Sequence, residues 1–216
     1  MGYKLIIFDI DGTITRHISS WRYIHEKLGI WEKKALCYQE QFLAGKITYR
    51  RFCELDAAHW KGFSEKKLRR IFASIRYSKN AGWVIPRLKA MGFKLAAIST
   101  GLQFMTDRVK DELGFDYTLS NRLSTKNGRL TGGVKIYIEH GAKDIILKRI
   151  FKRFNVRPAE TISIGDSEGD IPLARICGYS MAFNSTSKEL SSIVDYNCRT
   201  LDFKEVYKRI IAINNE

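Results

Sequence analysis

The chain has 216 residues, 44% hydrophobic and 28% charged, with 16 glycines and 3 prolines; this excludes disordered, collagen-like and low-complexity sequence and suffices for one α/β domain with a small insert. Its 37 Lys+Arg against 23 Asp+Glu, a net charge of +14, would attract any polyanion, whether phosphorylated metabolite, nucleic acid or acidic membrane surface, without choosing among them. No apolar run nears the roughly 20 residues that cross a bilayer, no secretory cleavage pattern follows the first residues, and the 4 cysteines form no CxxC pair, so the expectation is a cytoplasmic protein with neither zinc site nor disulfide framework.

Tyr3 to Ile10 is a short run, apolar on both faces as in a covered strand, that contains Asp9 and leads directly to Asp11. Residues 16–76 contain no second run of that kind. Ser20 can cap a helix with Trp21, Ile24 and Leu28 on one face and Gly29 as its stop. Trp31 to Ala44 and Tyr49 to Trp60 are helix-compatible and joined through Gly45. Ser64 can cap a further helix with Leu68, Ile71, Phe72 and Ile75 at i, i+3, i+4 and i+7. The stretch predicts an all-helical insert. It holds 14 Lys+Arg against 6 Asp+Glu, and ten of the 26 aromatic residues, more than a small helical bundle needs for its core.

Beyond the insert, Phe93 to Thr100, Glu160 to Asp166 and Tyr179 to Asn184 repeat the buried-strand pattern. Asp116 to Ile138 alternates around Lys126-Asn127-Gly128, which fits a hairpin or a pair of extended arms. Leu147, Ile150, Phe151 and Phe154 form a helical stripe, as do Phe203, Val206, Tyr207 and Ile210. Strands alternating with such helices predict the α/β class: a doubly wound parallel sheet formed by residues 1–15 and 77–216, with a helical cap of residues 16–76 inserted after the first strand.

Four turns carry chemistry. Asp9 and Asp11 stand at i and i+2 where the first strand ends, the edge at which open α/β sheets place their crevice, and such close carboxylates repel unless a cation or proton lies between them. Ser99-Thr100-Gly101 ends the next strand with hydroxyls and backbone N–H groups suited to phosphate. Lys143 opens the helix that carries Leu147, where a cation opposes the helix dipole unless an anion is near. Asp166, Glu168 and Asp170 crowd into one turn after a strand, a set of hard oxygen ligands that suits magnesium.

In order and placement these four segments resemble those of the haloacid dehalogenase superfamily of phosphohydrolases, over nearly the whole chain. The insert position, Gly45-Lys46-Ile47, the stretches Ser120-Asn121-Arg122-Leu123 and Leu130-Thr131-Gly132, and Gly141-Ala142-Lys143 further resemble its phosphoserine phosphatase-like branch. The resemblance implies that Asp9 attacks phosphorus to form an aspartyl phosphate, while Asp11 protonates the leaving oxygen and then activates water. It also implies magnesium held by Asp9, the Asp11 carbonyl and Asp166, with Asp170 in the outer sphere. Ser99 and Lys143 would hold phosphoryl oxygens, with Thr100 and Gly101 in the same turn, and Gly12 and Thr13 would offer backbone N–H groups to them.

The sequence departs from the branch where serine is recognised. Ile18 stands where a glutamate would accept from the substrate ammonium, Glu54 stands where an arginine would bind its carboxylate, and Gly169 replaces a common asparagine. Phosphoserine is therefore expected to be a poor substrate, and Arg16, His17, Arg50 and Arg51 become candidates for recognising another anionic or aromatic group. The expected partner is a small phosphorylated metabolite. The competing readings are phosphotransfer from the same intermediate to an acceptor alcohol, and a basic nucleic-acid-binding protein with relic turns, which the retained catalytic residue types disfavour.

Overall fold

A computed structural model describes residues 2–17 and 19–215. The first strand, β1 (Leu5–Phe8), is followed by a wide turn over Ile10–Ile14 and then by four helices: α1 (Ser20–Lys27), α2 (Leu36–Leu43), α3 (Tyr49–Ala58) and α4 (Glu65–Ala73). After α5 (Ala81–Ala90) come β2 (Lys94–Leu102), α6 (Gln103–Leu113), β3 (Tyr117–Lys126) and β4 (Arg129–Lys135). The chain closes with α7 (Leu147–Phe154), β5 (Thr161–Gly165), α8 (Ile171–Ala174), β6 (Tyr179–Phe183), α9 (Lys188–Ile193), β7 (Tyr196–Cys198) and α10 (Phe203–Asn215).

Among the described residues the strands form one sheet in the order β4-β3-β2-β1-β5-β6-β7, parallel except for β4. Alternation along β1 explains why both faces are covered. Ile6 and Phe8 enter one apolar cluster with Phe203 and Val206 of α10, while Leu5 and Ile7 enter another with Leu147 and Ile150 of α7. The order reverses at β1, which pairs β2 on one side and β5 on the other, with Phe8 opposite both Ala97 and Ile164. The residues that follow those three therefore leave the sheet along one edge, at its switch point.

Helix ends follow local chemistry. Ser64 and Thr48 accept from the backbone N–H groups of Lys67 and Arg51, and Gly29, just past α1, has φ +68°. The cap of α1 is Ser19, which accepts from the Arg22 N–H, rather than the expected Ser20. Ser20 lies inside the helix because its own N–H is directed at the Asp11 carboxylate, 2.8 Å away.

The two crossings between sheet and insert lie side by side, with Thr15 bridging Tyr77 and the Arg16 N–H donating to the Arg76 carbonyl at 3.1 Å. Residues 116–138 do more than form a hairpin. β3 also extends the parallel sheet beside β2, and the Asn127-Gly128 turn, with φ of 51° and 69°, returns the chain as β4. That hairpin clasps the insert: Leu130 exchanges backbone hydrogen bonds with Gly62 and Phe63, and the Gly128 carbonyl accepts from Glu65. β7, three residues long, has no counterpart in the sequence expectations because so short a segment has no readable alternation.

Candidate active site

The parallel register brings Asp9, Ser99 and Asp166 to one end of the sheet. Asp9 is buried, and its Oδ1 lies 2.8 Å from Lys143 Nζ; the same ammonium reaches Asp170 Oδ1 at 2.7 Å. Lys143 is only 2% exposed although the sequence places it in a loop-to-helix turn. The anions that offset its unfavourable position at a helix start are thus Asp9 and Asp170. Asp170 Oδ2 accepts from the N–H groups of Asp166 at 3.0 Å and Ser167 at 3.2 Å, fixing the acidic turn. Thr13 Oγ1 donates to Asp166 Oδ1 at 2.9 Å.

Burial pushes the Asp9 carboxyl up to about 7, against the pull of Lys143. The Asp166 carboxyl is raised well above the ordinary range by burial first and then by its like-charged neighbours Asp9 and Asp170. Burial also raises Asp11, opposed by the Ser20 N–H. For Lys143, burial works against the charge, but Asp170 and Asp9 outweigh it and hold its pKa above the usual lysine value. Carboxylate oxygens of Asp9, Asp166 and Asp170 all lie within 4.8 Å of one another. Three acids meet one ammonium here, and their all-oxygen donor set suits a hard divalent cation that would favour their ionised forms. Gly12 (φ +83°) and Gly165 are both needed here, because a Cβ on either would run into the carboxylate of Asp166 or Asp170 respectively.

Not every predicted group faces the site freely. The Gly12 N–H donates to the His17 carbonyl at 2.7 Å, and the Gly101 N–H to Ser99 Oγ at 2.9 Å. This corrects the expectation that Gly12 offers its N–H to phosphoryl oxygens: the left-handed turn at Gly12 aims it back along the chain. Ser99 is buried and accepts from Gly101, which leaves its O–H to donate. Thr100 lines the cavity in front of Asp9, Asp11 and Lys143, a space of about 240 Å³.

The far wall comes from the helical insert. Trp21, Phe42, Tyr49 and Phe52 line it, together with His140 from the loop before Lys143. The Thr100 carbonyl accepts three hydrogen bonds, from Trp21 Nε1 at 3.1 Å, Tyr49 Oη at 2.9 Å and Asn121 Nδ2 at 3.0 Å. Asn121 is itself held by the N–H groups of Tyr137 and Ile138. Trp21, Tyr49 and Asn121 belong to none of the four turns; the one sequence signal for the first two is the surplus of aromatic residues in the insert.

Arg16, His17, Arg50 and Arg51, the candidates for substrate recognition, and Glu54 are not among the residues lining the cavity. On α3 the inward positions are Tyr49, Phe52, Cys53 and Asp56, so the helical period turns Arg50, Arg51 and Glu54 outward. Exposed Arg50 pairs with half-buried Glu139 at 3.0 Å, and exposed Arg51 with exposed Glu54 at 3.6 Å. Arg16 is exposed beside the two crossings, and the His17 ring packs on Tyr23 at 4.2 Å. Ile18 lies outside the described residues. No helix among the described residues is long and apolar enough to cross a membrane.

Comparison with known proteins agrees with this arrangement. The family model for haloacid dehalogenase-like hydrolases matches residues 6–175. A phosphoserine phosphatase of Methanocaldococcus jannaschii is 27% identical over 96% of this chain and 97% of its own length. One of Archaeoglobus fulgidus is 30% identical over 84% of this chain, which spans 53% of that longer relative. A solved structure described as a phospho-aspartyl intermediate analogue of phosphoserine phosphatase superimposes with a TM-score of 0.82 at 27% identity, covering 97% of this chain and 99% of the other. The chain belongs to the haloacid dehalogenase-like hydrolases, in their phosphoserine phosphatase-like branch.

Proposed function

We propose that this chain is a magnesium-dependent phosphatase that hydrolyses a small phosphomonoester through an aspartyl phosphate. The observation that carries the reading is the placement of the buried Asp9 carboxylate, 2.8 Å from Lys143, in the lining of the cavity and at the switch point of the sheet. An Asp9 oxygen attacks phosphorus, and the bond to the alcohol oxygen breaks as Asp11 passes its proton to that oxygen. Burial favours the protonated form of Asp11 for this first step. Asp11, now a carboxylate, takes a proton from water, which attacks the aspartyl phosphate and releases inorganic phosphate with Asp9 restored.

Lys143 and the Ser99 hydroxyl stabilise the phosphoryl oxygens as charge shifts onto them. Asp9 and Asp166 would hold the cation, with Asp170, whose two oxygens already accept from Lys143 and backbone N–H groups, fixing the turn behind it. Bound there, magnesium supplies positive charge against the phosphoryl dianion.

The test is phosphate release from a panel of phosphomonoesters with magnesium and then with excess chelator. Turnover that stops on chelation is the expected result. Full turnover in chelator would remove the cation from the proposal, and quantitative transfer of phosphate to an added alcohol in place of water would make the chain a phosphotransferase.

A further inference from the structure

The wall facing the phosphoryl site is mainly aromatic, and no acid, lysine or arginine of the insert lines it among the described residues. Trp21 and Tyr49 each have one polar atom, and both donate it to the Thr100 carbonyl, at 3.1 and 2.9 Å, so what remains for the cavity is ring surface. Phe42 and Phe52 stack with their rings 5.4 Å apart and 8° from parallel, and His140 meets Phe42 edge-on at 5.6 Å. Burial and the nearby Lys143 lower the His140 pKa below its ordinary value. Apart from Asp9, Asp11 and Lys143, which the proposed reaction engages with the phosphoryl group, no charged acid, lysine or arginine lines the cavity among the described residues.

We infer that the leaving group is an uncharged alcohol carrying a single flat ring, so that the substrate is an arylalkyl-type phosphomonoester rather than a zwitterionic amino-acid phosphate. The inference rests on the phosphatase reading above. Aromatic faces attract a ring by apolar burial and by offset or edge-on stacking. An ammonium and a carboxylate carried into the same wall would lose water and meet no partner of opposite charge. Size agrees: an apolar cavity of about 150 Å³ holds a benzene, so about 240 Å³ accommodates a phosphoryl group and one ring. Gln39 and Ser19, at the same cavity, supply uncharged polar atoms that would suit a hydroxyl on that ring or its stem.

The experiment compares kcat/KM for 2-phenylethyl phosphate, propyl phosphate and phosphoserine in magnesium; the first two are esters of primary alcohols with similar leaving-group basicity, so ring binding is read free of chemical activation. The phenylethyl ester is expected to exceed each of the others by about tenfold or more, and Phe42→Ala should shrink its advantage over the propyl ester to less than about threefold. The wild-type ranking stands as a test even if that variant does not fold. Phosphoserine ranking first, or equal values for the phenylethyl and propyl esters, would overturn the inference while magnesium-dependent release keeps the phosphatase reading. No release from any of the three overturns both.

Discussion

Replacing Lys143 by methionine tests the charge balance on which the site is built. The ammonium sits 2.8 Å from Asp9 and 2.7 Å from Asp170 and is 2% exposed, so its loss leaves buried carboxylates facing one another and Asp166. At an effective dielectric of about 20, each contact is worth roughly 6 kcal/mol before desolvation. Burying the ammonium costs several kcal/mol, and breaking buried pairs elsewhere leaves a net loss of about 3 to 5 kcal/mol, the value expected here in chelator. Removing this cation also removes the main repulsion against a divalent ion bound beside it. Magnesium should therefore stabilise Lys143→Met more than it stabilises the wild type, by about 1.4 kcal/mol for each tenfold gain in affinity. Urea unfolding followed by circular dichroism, with chelator and with saturating magnesium, reads both quantities, provided the m-values agree. A chelated variant within about 1 kcal/mol of wild type, or a magnesium increment no larger than the wild type's, would refute the view that Lys143 neutralises this acid cluster.

Asp9→Asn should fold normally by circular dichroism yet retain less than about a tenth of the wild-type rate of phosphate release, because an amide is nearly isosteric with the carboxylate but a poor nucleophile. Gly12→Ala must hold φ +83° and place a Cβ against the Asp166 carboxylate. A stability loss of about 1 to 2 kcal/mol from the backbone alone and a rise of roughly tenfold or more in the magnesium needed for half-maximal activity are expected, and an unchanged magnesium titration would dismiss the steric account. Glu160 accepts from Lys4 Nζ at 2.6 Å and from the Arg157 N–H at 2.8 Å, which depress its pKa from 4.5 to about 2. A depressed carboxylate stabilises above its unfolded pKa and loses that effect as pH falls through the folded one. The thermal midpoint of wild type should thus exceed that of Glu160→Gln by a constant margin above pH 4.5 that narrows toward pH 2; a margin independent of pH would exclude the charge as its source.

The strands and acidic turns were legible in the chain because each depends on near neighbours. Leu5 to Phe8 is apolar at every position, which a parallel strand between two helical layers requires, and Asp9 follows it directly. The helical insert was legible for the same reason, since Leu68 and Phe72 repeat at the period of a helix that Ser64 caps. What joins distant segments was not. That β3 enters the sheet while its hairpin clasps Gly62 and Phe63 depends on backbone groups, which any sequence carries. The direction of Arg50, Arg51 and Glu54 depended on the face of α3 that packs inward, and their charges alone do not reveal it. The Gly12 N–H was expected to be open, but the left-handed turn commits it to the His17 carbonyl. Most telling is the Thr100 carbonyl, which gathers Trp21, Tyr49 and Asn121 from three separate elements. The local sequence determined which chemistry the sheet edge carries; only tertiary packing, by turning the polar atoms of Trp21 and Tyr49 onto the Thr100 carbonyl, decided what kind of surface that chemistry faces.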